Sequence, residues 1–547
     1  MADDGETRER DVVEAYIQEH ALETSLNDVI NQVVADRPED PFLVLSALLY
    51  AKATAKRGIF HVQVKEIFDG LGLPGVLVRL HTGKGVFEAA SSSDVAGIVD
   101  RPELFDAFAP TVPLDKQRFG GQGYRLRAQR AEQLLVDALV NVEPTDQAAI
   151  DSSLLVLEPE IGRNVCIAAS VAACKAGAKF AEIPLHEYVA QLHEMPMESV
   201  CLPMPLFSVL NGGRFGANKL FVRDIFMTPT SATSFADALQ LGVEITRAVR
   251  QQLELRGVGY HNAGQLGGFA PPFQSPAEAV EVLRAALEET RSRVESTSPS
   301  VSLLDPASVS PLRVEFGLDV AASDFCVLAA DAPPGDDDET KSTQSYNVDK
   351  WFPGSSGQIK SSEEMVEMVR TLVKELGATA VVDPFSASDL KSFATLLSLE
   401  HDTEAQDAAG GEASAEASLV QSVGSDPNCR LQVVARDAFE LNGADVLHEE
   451  RACNTVLLQL HQFPSVTRAL KAVAEARGLG LAVMLGAAAG HPPCDSAFLA
   501  AFTTGAGIGQ VMFGGLLAAD SADRYNHLLL ASEEEASPGF VSTAFRR

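Results

Sequence analysis

The chain has 547 residues, 46% of them hydrophobic and 22% charged, with a formal net charge of −32. That size accommodates two or three domains with a sizeable core, and the composition is that of a soluble globular protein. The acidic excess argues against nucleic acid and anionic lipid as partners, and leaves apolar grooves as the means of holding other proteins. No apolar run approaches a membrane span, and the opening MADDGETRERD lacks the pattern of a secretory leader. Seven scattered cysteines without a CxxC pair imply reduced thiols, not a disulfide frame or a zinc site. We therefore expect a cytoplasmic protein with no membrane or nucleic-acid partner.

Residues 1–57 carry two helical patterns. In the first, Leu26, Val29, Ile30, Val33 and Val34 recur at helical spacing. Arg37-Pro38 ends it, and Asp40 is then placed to cap a second helix with Pro41 at its first position. That helix carries Phe42, Leu45, Leu48 and Leu49 on its apolar side. Two short helices cannot bury both faces alone, so pairing with a second chain is the simple solution. A hairpin that packs on the rest of the chain is the alternative.

Residues 58–199 open with HVQVKEIFDGLGLPGVLVRLHTGKGVFEAA, whose alternation and glycine turns predict a strand meander, and continue with helical patterns. From residue 200 to 547, apolar bursts (FGLDV, TAVVD, LQVVA, TVLLQL, LAVML) alternate with helical patterns, as in an α/β barrel. Two polar inserts, near 330–345 and 401–428, are expected to be surface loops. His461, His491 and the glycines at 505, 507 and 509 are weaker candidates, since no nucleophile triad, HExxH or phosphate-loop tail accompanies them.

LPMPLFSVLNGGRFGANKL (from Leu202), GQLGGFAPPF (from Gly264), GLDVAASDF (from Gly317), VDPFSASD (from Val382) and ACNTVLLQLHQFPSVT (from Ala452) resemble, in order and spacing, the enolase family. The resemblance implies an α+β amino-terminal domain and an eight-stranded TIM-like barrel behind the small all-α module. It also implies a lysine base, a glutamate acid and magnesium ions that hold a dianionic intermediate. At the matching positions this chain has Gln459 for the base and Leu266 for the acid. A supporting glutamate is matched by Asp224, with Arg223 beside it, and the lysine of the last strand by Met512. The trio that holds substrate phosphate is matched by Ala487, Ala488 and Ala489. Of the three carboxylates that ligate the principal magnesium, Asp319 remains and the others are matched by Val382 and Arg436. The loop serving the second magnesium is matched by Asp94 to Gly97.

The resemblance thus implies a pseudoenzyme that binds no magnesium. Arg436 is expected to contact Asp319 in the cation's place; turning to solvent or to Asp437 is the alternative. DGLGLP (from Asp69) is similar to the divergent sperm and ciliary enolase-like proteins. The hairpin resembles the dimerization-docking module of protein kinase A type II regulatory subunits, with Leu26, Val29, Ile30, Val33, Phe42, Leu45, Leu48 and Leu49 as its docking residues. Those resemblances imply a scaffold subunit of a ciliary or flagellar axoneme, the central apparatus among the candidate locations. Its partners would be an amphipathic anchoring helix, other axonemal subunits, and a second copy or an enolase-type dimer mate. Two other readings stay open: a working phosphopyruvate hydratase, and a regulatory partner of a conventional enolase.

Overall fold

The computed structural model describes residues 16–18, 21–53, 58–70, 72–92, 112–216, 218–297, 312–327, 344–352, 357–407, 431–487, 495–534 and 537–546. The first two helical patterns form α1 (Leu22–Asp36) and α2 (Pro41–Ala53), which pack on each other. Asp40 Oδ1 accepts the backbone N–H groups of Phe42 and Leu43 at 3.1 and 3.0 Å, capping α2 as its sequence suggests. The apolar face divides differently from the expected docking set. Val29 and Val33 are buried, and Leu45, Leu48 and Leu49 are half-buried. Leu26, Ile30 and Phe42 face outward together with Leu22, Val34 and Leu43, three residues outside that set.

The meander is a three-stranded antiparallel sheet, β1 (Ile59–Phe68), β2 (Pro74–Thr82) and β3 (Gly85–Ser91). Asp69 closes the first turn by accepting the Leu73 N–H on Oδ1 at 2.8 Å. Helices α3 (Arg125–Leu139), α4 (Gln147–Ile161), α5 (Arg163–Ala181) and α6 (Leu185–Leu192) follow. The run of alanines and small side chains in α5 lets it be buried on most of its surface, in contact with β2, β3 and α4.

The apolar bursts form a closed barrel of eight strands in chain order. These are β4 (Met204–Asn211), β5 (Asp224–Thr228), β6 (Glu315–Asp319), β7 (Ala378–Val382), β8 (Gln432–Ala435), β9 (Thr455–Gln459), β10 (Ala482–Gly486) and β11 (Gln510–Gly514). All run parallel except β5, which is antiparallel to both neighbours. Two packed helices, α7 (Phe235–Leu255) and α8 (Pro276–Thr297), separate β5 from β6. An antiparallel helix pair returns the chain to the end at which β5 stopped, so β6 resumes the common direction. Among the described residues, one α-helix stands in each later crossover: α9 (Ser362–Leu376), α10 (Leu390–Asp407), α11 (Asp437–Glu449), α12 (Val466–Gly478), α13 (Ser496–Gly505) and, after the last strand, α14 (Ala519–Glu533).

Leu206, Phe226, Ala380, Val382, Val434, Leu457, Met484 and Met512 make one apolar cluster inside the barrel. The strand without a member there, β6, presents Gly317, whose missing Cβ leaves the space taken by the Phe226 ring. At the opposite end from the mouth, the Gln432 and Gln510 amides donate to each other at 3.0 and 3.1 Å.

Most of the two inserts lies outside the described residues. Where the second is described, a loop from His401 was expected but α10 continues to Asp407; Glu404, Ala405 and Gln406 favour the helix. The end of the first insert is also structured, with Ser345–Asn347 pairing antiparallel to Ile359–Ser361.

Candidate functional site

In a parallel barrel the reactive groups belong at the carboxyl ends of the strands. Because β5 runs the other way, its amino-terminal residue Asp224 lies at that mouth, level with Asn211 at the end of β4 and Asp319 at the end of β6. Arg223, just before β5, comes with it. Arg223, Asp224, Leu266, Asp319, Arg436, Gln459, Ala487 and Met512 line one small cavity there. Its volume is about 30 Å³, room for about two waters. Ala488, Ala489, His491 and the 94–97 loop fall outside the described residues.

Asp319 is fully buried. Its Oδ2 accepts from Arg436 Nη1 at 2.9 Å and from Arg223 Nε at 3.0 Å, with Arg223 Nη2 also against it. Arg436 spends its whole planar fork on carboxylates: Nη1 on Asp319, Nη2 2.5 Å from Asp383 Oδ2, and Nε 2.9 Å from Asp437 Oδ1. The contact anticipated between Arg436 and Asp319 is present, and the alternative contact with Asp437 is present too. Burial opposes the charge on Arg223, but Asp319 and the neighbouring aspartates outweigh it and raise its pKa.

Arg223 and Asp383 complete this network, and sequence reasoning gave neither a part in it; Asp437 entered there only as the alternative partner of Arg436. Asp383 directly follows β7 and takes φ 42°, a conformation rare for a non-glycine residue. That backbone turns its Oδ1 onto the N–H groups of Arg436 and Asp437 at 2.8 and 3.1 Å, at the amino end of α11. A carboxylate at that position complements both the free N–H groups and the helix dipole.

Asp224 differs from the other three aspartates. Its Oδ1 accepts from Ser208 Oγ at 2.7 Å and Asn211 Nδ2 at 2.8 Å, while Oδ2 is buried without a hydrogen-bond partner. Burial, reinforced by the nearby Asp319, pushes its pKa up to about 8. It is therefore mainly protonated at neutral pH.

The remaining mouth positions carry little chemistry. Val382 and Met512 belong to the apolar cluster in the barrel interior. Leu266 sits in a loop tied to the last strand by the Gly515 N–H donating to Leu266 O at 2.7 Å. Gly267 beside it has φ 80°, and a Cβ there would lie 2.6 Å from Gly515 O, so only glycine allows that approach. Gln459 ends β9, where its backbone N–H donates to Gln462 Oε1 at 2.8 Å.

A divalent cation on Asp319 would have to share that carboxylate with two guanidiniums, which already occupy its Oδ2. Val382 offers no donor, and Arg436 places positive charge where an oxygen ligand should stand. The side chains present do not suit magnesium. Among the described residues there is no group of three or more His, Cys, Asp or Glu side chains able to hold a metal.

Comparison with known proteins agrees with this architecture. Residues 59–189 match the enolase N-terminal domain, and residues 199–406 and 413–543 match the enolase C-terminal TIM barrel domain. The chain is 30% identical over 499 residues to an enolase of Eimeria tenella, covering 87% of this chain and 96% of that one. It is 27% identical over 532 residues to cytosolic enolase 3 of Arabidopsis thaliana, covering 95% and 96%. An enolase of Mastigamoeba balamuthi is 28% identical over 486 residues, covering 86% and 95%. With both domain models matched over most of the chain, and the barrel closed with one reversed strand, the chain belongs to the enolase family.

Proposed function

We propose that this enolase-family protein does not interconvert 2-phosphoglycerate and phosphoenolpyruvate, and serves instead as a protein-binding scaffold subunit. One observation carries the reading: Leu266, Gln459 and Met512 stand together at the mouth where a proton must be taken and a dianion held. An amide cannot accept a proton at neutral pH, and neither a leucine nor a thioether can donate one. Loss of a general base alone costs about 10²–10⁴-fold in rate, before the missing cation is counted.

The names of the relatives favour the second reading, a working hydratase. Purified full-length protein, assayed for phosphoenolpyruvate with millimolar magnesium, decides between them. No turnover above background is expected; a rate abolished by chelator would overturn the proposal. A regulatory partner of a conventional enolase would show instead as altered activity when the two are mixed. On the scaffold reading, α1 and α2 offer the binding surface through their outward apolar side chains. The hairpin and the DGLGLP turn are the features that favour an axonemal setting, and localisation of the tagged protein in ciliated cells tests it.

A further inference from the structure

Asp319, Asp383 and Asp437 bring three negative charges to the barrel mouth, all of them buried. Isolated buried carboxylates at such short range are costly unless positive charge is supplied between them. We infer that Arg223 and Arg436 together form a built-in replacement for a divalent cation, so that the mouth is held closed without metal. The two guanidiniums carry the same double charge as one such ion. They approach Asp319 Oδ2 from two elements: Arg223 from the residue before β5, Arg436 from the residue after β8. Arg436 also reaches Asp383 and Asp437, which an ion on Asp319 would not have to do.

The charge is attached to the backbone, so chelator cannot remove it and solvent cannot exchange it. A planar fork fixes three carboxylates in one geometry, which a lysine's point charge could not. The mouth then acts as a structural clasp that ties the ends of β5, β6, β7 and β8 to the start of α11. The clasp rests on the reading that the mouth holds no cation: turnover insensitive to chelator would overturn the scaffold reading and leave the clasp untouched, whereas turnover abolished by chelator would overturn both.

Thermal unfolding of the full-length protein, in chelator and in millimolar magnesium or manganese, tests it. The wild-type Tm should be the same in all three, and manganese titration followed by electron paramagnetic resonance should show no saturable site. Arg223→Gln and Arg436→Gln should each lower Tm by several degrees, because each leaves buried carboxylate charge uncompensated. In the Arg223→Gln, Arg436→Asp double variant, magnesium or manganese should raise Tm in a saturable way. Should the double variant fail to fold, the single variants and the wild-type titration carry the test. A wild-type Tm that rises with magnesium or falls in chelator overturns the inference. So do single variants as stable as wild type, or a folded double variant indifferent to cations.

Discussion

At the residue scale, Asp224 is the informative member of the mouth because it is the acid the arginines leave aside. Its folded pKa, about 8, lies well above its ordinary value of 3.8, with burial as the main cause. Below that ordinary value both folded and unfolded chains hold the proton, and the group costs nothing. As pH rises toward 8 the unfolded chain releases the proton while the folded one keeps it, so stability falls by up to ~1.4 kcal/mol per pH unit. Above about 8 the loss levels off. Asp224→Asn removes this penalty and retains an Oδ1 to accept from Ser208 and Asn211. We expect its advantage over wild type to be small near pH 4, to grow to a few kcal/mol at neutral pH and to flatten beyond pH 8. Denaturant midpoints measured across that range check it; a difference independent of pH would mean that the carboxyl is not held protonated.

At the element scale, the barrel strands were legible because fully buried strands read as short continuous apolar runs, and all five bursts form strands. The second helix was legible from Asp40-Pro41, a local signal with a local cause. The reversal of β5 was not, because strand direction is set by pairing with β4 and β6 and leaves no mark in the DIFMT segment itself. Arg223 was missed for the same reason: its partner Asp319 is distant in sequence and becomes its neighbour only through that antiparallel register. The Asp383 turn was hidden because aspartate tolerates a positive φ more readily than most residues but signals it only weakly, and no glycine stands there. Gly317 shows the same dependence on a neighbouring strand, since its role appears only beside Phe226. Gly317→Ala should destabilise the barrel by about 1–3 kcal/mol through overpacking, and Phe226→Leu in the same chain should recover part of it. A double-mutant cycle measures that coupling; strictly additive effects would show that the ring and the strand do not compete for space.

At the scale of the whole molecule, the amino-terminal domain and the barrel are joined by buried polar ties. Asp151 of α4 accepts the Thr467 N–H at 3.0 Å, Ser170 of α5 accepts the Val466 N–H at 2.9 Å, and Lys175 meets Asp495 at 2.9 Å. The hairpin is constructed differently. Its buried valines, Val29 and Val33, are not members of the main core cluster. Its outward stripe of Leu22, Leu26, Ile30 and Val34 recurs every fourth residue, beside Phe42 and Leu43, which are 81% and 68% exposed. The aligned span shared with the Arabidopsis relative leaves fewer residues uncovered than precede the first matched domain, so it reaches into this segment. The association of the segment has to be tested directly. Scattered apolar surface residues are ordinary, but a continuous stripe on a small unit marks an interaction site. Self-pairing would bury the stripe of each copy against the other as a four-helix bundle. We expect Leu26→Glu with Ile30→Glu to lower the association state of the full chain in sedimentation equilibrium, while circular dichroism and Tm of the two large domains stay as in wild type. These substitutions place charge on exposed positions and leave Val29 and Val33 in place, so the hairpin can still fold. If the mass is unchanged at every concentration, the stripe does not pair with a second copy. Binding of an amphipathic helical peptide to wild type but not to the variant would then identify it as a groove for a different chain.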